Sequence, residues 1–282
     1  MRVTTLVEND ALEGRDDLTA EFGLSLLIEV GSTTILFDTG STGVFADNAA
    51  ALGHDLGSVD LAVLSHHHFD HGGGLRRFLE LNRKAPVLLR GAPLENRWSR
   101  ASLVIKRAVG IDTDLVGSTP ERFVAVDDDT EIAPGVWLLT GILDRHPRPK
   151  GNRHLYVEHD GRLQADPFDH ELMLVIHEAD GMVVFTGCSH HGVLNMVETA
   201  AARFPDATVK AVFGGFHLIG PPIFDTMTAT PEEVGSIART LLERVAGPVF
   251  TGHCTGRKGT EALAAVMGDR LRTIRTGAVF DV

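Results

Sequence analysis

The 282-residue chain has only two cysteines, Cys188 and Cys254, and they lack CxxC spacing. They supply neither a disulfide framework nor a four-cysteine zinc site, so a reducing, cytoplasmic setting is expected. Apolar runs of about 18 residues are also missing, which excludes a membrane helix. Glu8, Asn9 and Asp10 interrupt the N-terminus before an apolar run of signal-peptide length forms, so a mature cytosolic start is expected. Basic charge is in deficit: 26 Lys and Arg against 38 Asp and Glu give a net charge of −12, which disfavours nucleic acid and anionic membrane as partners. No Pro/Ser-rich linker, charge block, short repeat or low-complexity segment divides the chain, so a single domain over 1–282 is expected.

Short β-rich runs and helical stretches alternate through both halves. Strands are expected over 3–7, 24–30, 33–37, 61–64, 86–89, 123–126 and 136–140, with helices near 44–52, from the glycines 72–74 to Leu81, and around 95–109. Strands over 172–176 and 182–186 bracket the turn 178–181 and read as a hairpin. A helix over 193–203 and a strand over 209–213 follow. Thr230-Pro231-Glu232-Glu233 is a strong helix start: a capping residue, Pro at the first helical position and Glu at the third. That helix is expected to end near Ala246, before a strand over 249–251, a helix near 260–267 and closing strands.

The compositional anomaly is histidine: of 14, four lie within His66–His71 and two more are the pair His190 and His191. His66-His67-His68-Phe69-Asp70-His71 follows an apolar strand and precedes a glycine-opened helix. In an extended segment alternate side chains share a face, so His66 and His68 converge, while Asp70 and His71 present a second set of ligands from the turn. Imidazole and carboxylate suit zinc, and also iron or manganese.

This His-x-His-x-Asp-His motif resembles that of the metallo-β-lactamase superfamily, and ILFDTG places Asp38 where that superfamily ends a strand pair in aspartate. The wording LVEN at 6–9, GLSLLIE at 23–29, TGCSH at 186–190, GGFHL at 214–218 and GHCTG at 252–256 looks like one branch, usually labelled dihydropterin-ribofuranosylaminobenzene-phosphate synthase-like. The resemblance covers 5 to about 277 and implies an α/β fold, a four-layer αββα sandwich with metals held by strand-end loops. It further implies one or two divalent transition-metal ions, zinc first, one held by His66, His68 and His190 and the other by Asp70, His71 and His253. Asp38 is expected to orient a liganding histidine. Cys188, where an aspartate usually bridges, is open to three roles: bridging thiolate, support of a ligand, or packed thiol. Asp169 or His170 is an alternative third ligand to His190. His217 is a candidate donor to a substrate oxyanion or phosphate, and Asp70 a candidate catalytic carboxylate.

The segment 144–166 lacks hydrophobic periodicity and reads as a long loop or lid. Arg145, Arg148, Lys150 and Arg153 within it suit a small anionic substrate. The expected activity is metal-dependent hydrolysis of an ester, lactone or phosphodiester. Two other readings stand beside it: a transferase joining a dihydropterin diphosphate to an aminobenzene ribofuranosyl phosphate, and a metal-binding sensor without turnover.

Overall fold

The computed structural model describes residues 1–100, 106–220 and 226–282. The chain forms two compact units: Met1–Glu95 with Val109–Asp127 and Ile274–Val282, and Asn96–Ala108 with Asp128–Thr273.

The first unit is built on a seven-stranded sheet in the order Val279–Asp281, Arg2–Val7, Ser25–Val30, Thr33–Phe37, Leu61–Leu64, Val87–Arg90, Phe123–Val126. Its first four strands pair antiparallel, and the last four run parallel. Helices Val44–Ala51 and Leu75–Leu81 bury Phe45, Ala49, Leu75, Phe78 and Leu79 against Leu6, Leu27, Leu36, Ala62, Leu64 and Val87.

The second unit repeats this plan. Its main sheet runs Leu271–Thr273, Val249–Thr251, Val209–Gly214, Gly181–Phe185, Met173–Glu178, Val136–Leu139, Thr130–Ala133, parallel over the first four strands and antiparallel after. Helices Val193–Arg203, Pro231–Arg244 and Gly256–Met267 cover one face through Met196, Val197, Ala200, Val234, Ala238, Leu241 and Leu263. Phe185, Phe213 and Phe250 stack on the other, with centroids 5.0 and 4.0 Å apart. The expected capping box is present: Thr230 Oγ1 accepts from Glu233 N at 3.2 Å, and Glu233 Oε2 accepts from Thr230 N at 2.8 Å.

Two expectations are corrected. The stretch 95–109 is not helical where it is described, since Asn96–Arg100 and Lys106–Ala108 are antiparallel strands; 101–105 lie outside the described residues. The segment 144–166 is not one aperiodic loop. It closes with a short 3₁₀ turn at Lys150–His154 and the hairpin Leu155–His159/Arg162–Ala165, whose first strand pairs with Asn96–Arg100. The two errors are one: the segments form a four-stranded sheet together, and this long-range partner overrides the local helix preference of the first. Among the described residues, no helix is long and apolar enough to cross a membrane.

Candidate metal centre

In each unit the chemistry-bearing residues sit where parallel strands end, the customary place for function in such sheets. In the first unit Phe37 leads to Asp38, and Leu64 to Ser65 and the histidine motif. In the second, Phe185 leads to Cys188 and His190, Gly214 to His217, and Thr251 to His253. Asp38, Phe168, Ser189, His217 and His253 all hold positive φ, from 46° to 62°. A non-glycine residue in that region costs on the order of 1–3 kcal/mol, and such strain gathers at functional loops.

His66, His68, Asp70 and His71 are buried, with exposures of 0, 4, 7 and 0%. The His66 ring lies 4.6 Å from that of His68 and 4.2 Å from that of His71. Asp70 and His71 belong to a single helical turn, Phe69–Gly72. The glycines after it are required by close approach: a Cβ on Gly73 would lie 2.1 Å from Ser41 O, and one on Gly74 2.4 Å from Thr39 O.

Asp38, 1% exposed, governs the proton positions in this group. Its Oδ1 accepts from Ser65 N at 2.8 Å; its Oδ2 accepts from Ser65 Oγ at 2.7 Å and from His71 Nδ1 at 2.6 Å. A carboxylate only accepts, so His71 carries its proton on Nδ1 and keeps the lone pair on Nε2. Ser65 has one hydroxyl proton, committed to Asp38. Its oxygen therefore accepts from His66 Nδ1, 2.9 Å away, and the His66 lone pair is also on Nε2.

In the second unit, two side chains that sequence reasoning passed over do the same work. Asn152 Nδ2 donates to the His190 carbonyl at 2.7 Å, which fixes the amide orientation because a carbonyl cannot donate. Asn152 Oδ1 then faces His190 Nδ1 at 2.9 Å and accepts its proton, leaving the lone pair on Nε2. Phe168 stacks on the same ring at 4.3 Å. Glu171, 1% exposed, accepts from His190 N at 2.7 Å, from His191 N at 2.9 Å and from His191 Nδ1 at 2.7 Å. Asn195 pins the preceding loop: its Oδ1 accepts from Arg145 N and His146 N, and its Nδ2 donates to the carbonyls of His146 and His191. Only the asparagine and glutamate residue types hint at these roles, because all but the Asn195–His191 contact span 19 to 50 residues.

The ligand atoms of Cys188, His190 and His217 lie within 4.8 Å of one another. His253 is buried beside Cys254. Burial works to raise the Cys254 thiol. Hydrogen bonds with Cys188 and His217 and the charges of His253 and His217 outweigh it and hold the thiol well below its ordinary value. Asp169 is exposed, whereas His170 is buried 3.4 Å from Asp166, itself 3.4 Å from Arg97. Burial first, then the charges of Arg97 and His191, keep His170 well below the usual imidazole range and so neutral.

The four cations of 144–154 have local contacts. Arg145 lies 3.8 Å from Glu198, Arg148 3.3 Å from Asp144, and Lys150 2.6 Å from Glu233; Arg153 Nε donates to His154 Nε2 at 3.0 Å.

A family model described as the metallo-beta-lactamase superfamily matches residues 18–193, and the chain belongs to that superfamily, a family of enzymes and mostly hydrolases. Its fold is the metallo-β-lactamase fold. Among its relatives is a 7,8-dihydropterin-6-methyl-4-(beta-D-ribofuranosyl)-aminobenzene-5'-phosphate synthase of Methanocaldococcus jannaschii, 29% identical over 92% of this chain and 90% of that protein. The crystal structure of Tm1679, described as a metal-dependent hydrolase of the β-lactamase superfamily, superposes with a TM-score of 0.82 at 30% identity, covering 100% of this chain and 99% of that one. Zinc-bound PqqB from Methylobacterium extorquens shares the fold at a TM-score of 0.53 and 13% identity, over 100% of both chains.

Proposed function

We propose that the protein is a metal-dependent hydrolase whose metal ligands are strand-end residues of each unit. In the first unit the proposed ligands are His66, His68, Asp70 and His71; in the second they are His190 and His253. The observation that carries this reading is the fixed tautomers. Asp38, Ser65 and Asn152 put the proton of His71, His66 and His190 on Nδ1, so each buried ring keeps its Nε2 lone pair for a Lewis acid. The donor set, imidazole with carboxylate, fits zinc first and iron or manganese next.

Bound there, the ions supply Lewis acidity, polarising the electrophile and bringing the proton of water within reach of neutral pH. The protein's own part is to hold five imidazoles in position, and to offer the Asp70 carboxylate as acceptor for the proton the attacking water gives up. The substrate in this reading is a small anion. Arg145, Arg148 and Lys150 lie in half-exposed or exposed ion pairs, which contribute only about 0–1 kcal/mol and exchange readily for a ligand carboxylate or phosphate. Arg153 is the fourth cation of the same segment.

The test is activity of the metal-loaded protein on a panel of phosphodiesters, lactones and esters, run in ¹⁸O-labelled water. Label in the product supports hydrolysis. The named synthase relative favours one competing reading, group transfer that displaces diphosphate from a dihydropterin; condensation of the two substrates without incorporation of label would replace hydrolysis by that reaction.

A further inference from the structure

We propose that Cys188, His190 and His217 form a metal-binding set wholly within the second unit, with His217 a ligand rather than a free hydrogen-bond donor. The proposal rests on the reading of His190 as a ligand and extends that centre by a soft donor, the Cys188 sulfur, and by a histidine outside the ligand pattern the resemblance implies.

Four observations carry it. First, one ligand atom from each of the three residues falls within 4.8 Å of the others. Around a tetrahedral zinc with Zn–N and Zn–S bonds of about 2.0–2.3 Å, ligand atoms stand roughly 3–4 Å apart, so closing the set takes about an ångström of side-chain movement. Second, His217 Nδ1 is buried, and beside it stands only the Cys254 thiol, a weak hydrogen-bonding group. A metal ion would give this buried ring nitrogen a stronger partner. Third, the backbone is bent to place this ring: φ is 46° at His217, and its N–H donates to Cys254 Sγ at 3.3 Å. Gly151 admits the ring at close range, since a Cβ there would lie 2.8 Å from His217 Cδ2 and 2.9 Å from Nε2. Fourth, the His190 and His217 rings are 4.4 Å apart at 57°, and Asn152 has already turned the His190 lone pair to Nε2.

Two imidazoles and a thiolate are a zinc or cobalt donor set, and in a chain without the His66 and His68 imidazoles they would leave a fourth position to water. On binding, the Cys188 S–H bond breaks, its proton passes to solvent, and the sulfur electron pair goes to the metal.

The experiment uses the full chain stripped of metal with a chelator and titrated with cobalt(II), first as wild type and then as His66→Ala/His68→Ala. The double variant should still take up one cobalt per chain, with thiolate-to-cobalt charge-transfer absorption. Adding Cys188→Ser should abolish that absorption, and adding His217→Ala should weaken binding at least about tenfold. Uptake by the wild type but none by the double variant would overturn this proposal and leave the proposed function standing. Uptake by neither would overturn both. Binding and absorption unaltered by His217→Ala would remove His217 as a ligand. Should the double variant fail to fold by circular dichroism, His217→Ala in the otherwise wild-type chain is read by the same band, and unchanged affinity and intensity would overturn the assignment.

Discussion

The two ligand-bearing regions reach the same chemical state by different means. In the first unit, four candidate ligands fall within six residues, His66 to His71, and one buried carboxylate, Asp38, sets the protons of two of them from a neighbouring parallel strand. In the second unit, His190, His217 and His253 lie on three separate strand ends, and their supports come from further away: Asn152 from a 3₁₀ turn, Glu171 from the start of a hairpin. The first region is a local motif on a rigid strand. The second is assembled by long-range hydrogen bonds and depends on more of the unit being folded.

The comparison breaks most severely if the local motif is removed. His66→Ala with His68→Ala should abolish turnover while the far-ultraviolet circular dichroism stays native, because both residues end a strand whose core partners are elsewhere. Retained turnover would remove the motif from the centre. Next comes Asp38→Ala, which withdraws the acceptor for Ser65 and His71 together; metal affinity measured against a competing chelator should fall about 10–100-fold. Asn152→Ala should give a smaller loss, near the tenfold end of that range, and Asn152→Asp, which keeps the acceptor at His190 Nδ1, should restore much of it. A loss at Asn152 exceeding that at Asp38 would reverse the ranking of the two regions.

How much of this was legible in sequence follows the same division. Strand Leu61–Leu64, helix Val193–Arg203 and the capping box at Thr230 were readable because periodicity and capping are local properties. So were the histidine motif and Asp38. The sheet that pairs Asn96–Arg100 with Leu155–His159 was not, because its partners are about 60 residues apart. Yet Leu155 and Val157 are buried while Tyr156 and Glu158 are half-buried, the alternation of a strand. Asn152, Glu171 and Ser65 were missed as supports because each acts through side-chain hydrogen bonds, which leave no periodic trace.

Smaller effects sharpen the contrast at the level of stability. His170 stays neutral in the fold, its pKa held well below the usual imidazole range, chiefly by burial. As pH falls through about 6.5, the unfolded chain therefore binds a proton that the folded one refuses. Stability of the metal-free protein should drop by at most about 1.4 kcal/mol per pH unit from this group, and should level off below the folded pKa. Denaturant unfolding at pH 7 and pH 5 checks it: His170→Gln should flatten the difference, and an equal slope in both proteins would assign the acid sensitivity elsewhere. The smallest effect is expected far from either region. Thr230→Ala should lower stability by about 1 kcal/mol through loss of the capping box and leave metal affinity unchanged.

The central claim is that two differently built sets of histidines are metal ligands, and the most direct measurement is metal content per chain after dialysis against zinc, iron or manganese. One to two ions should be retained by the wild type, with weaker retention by His66→Ala/His68→Ala and, separately, by His190→Ala. A folded wild-type chain that neither holds nor takes up any of the three metals would contradict it.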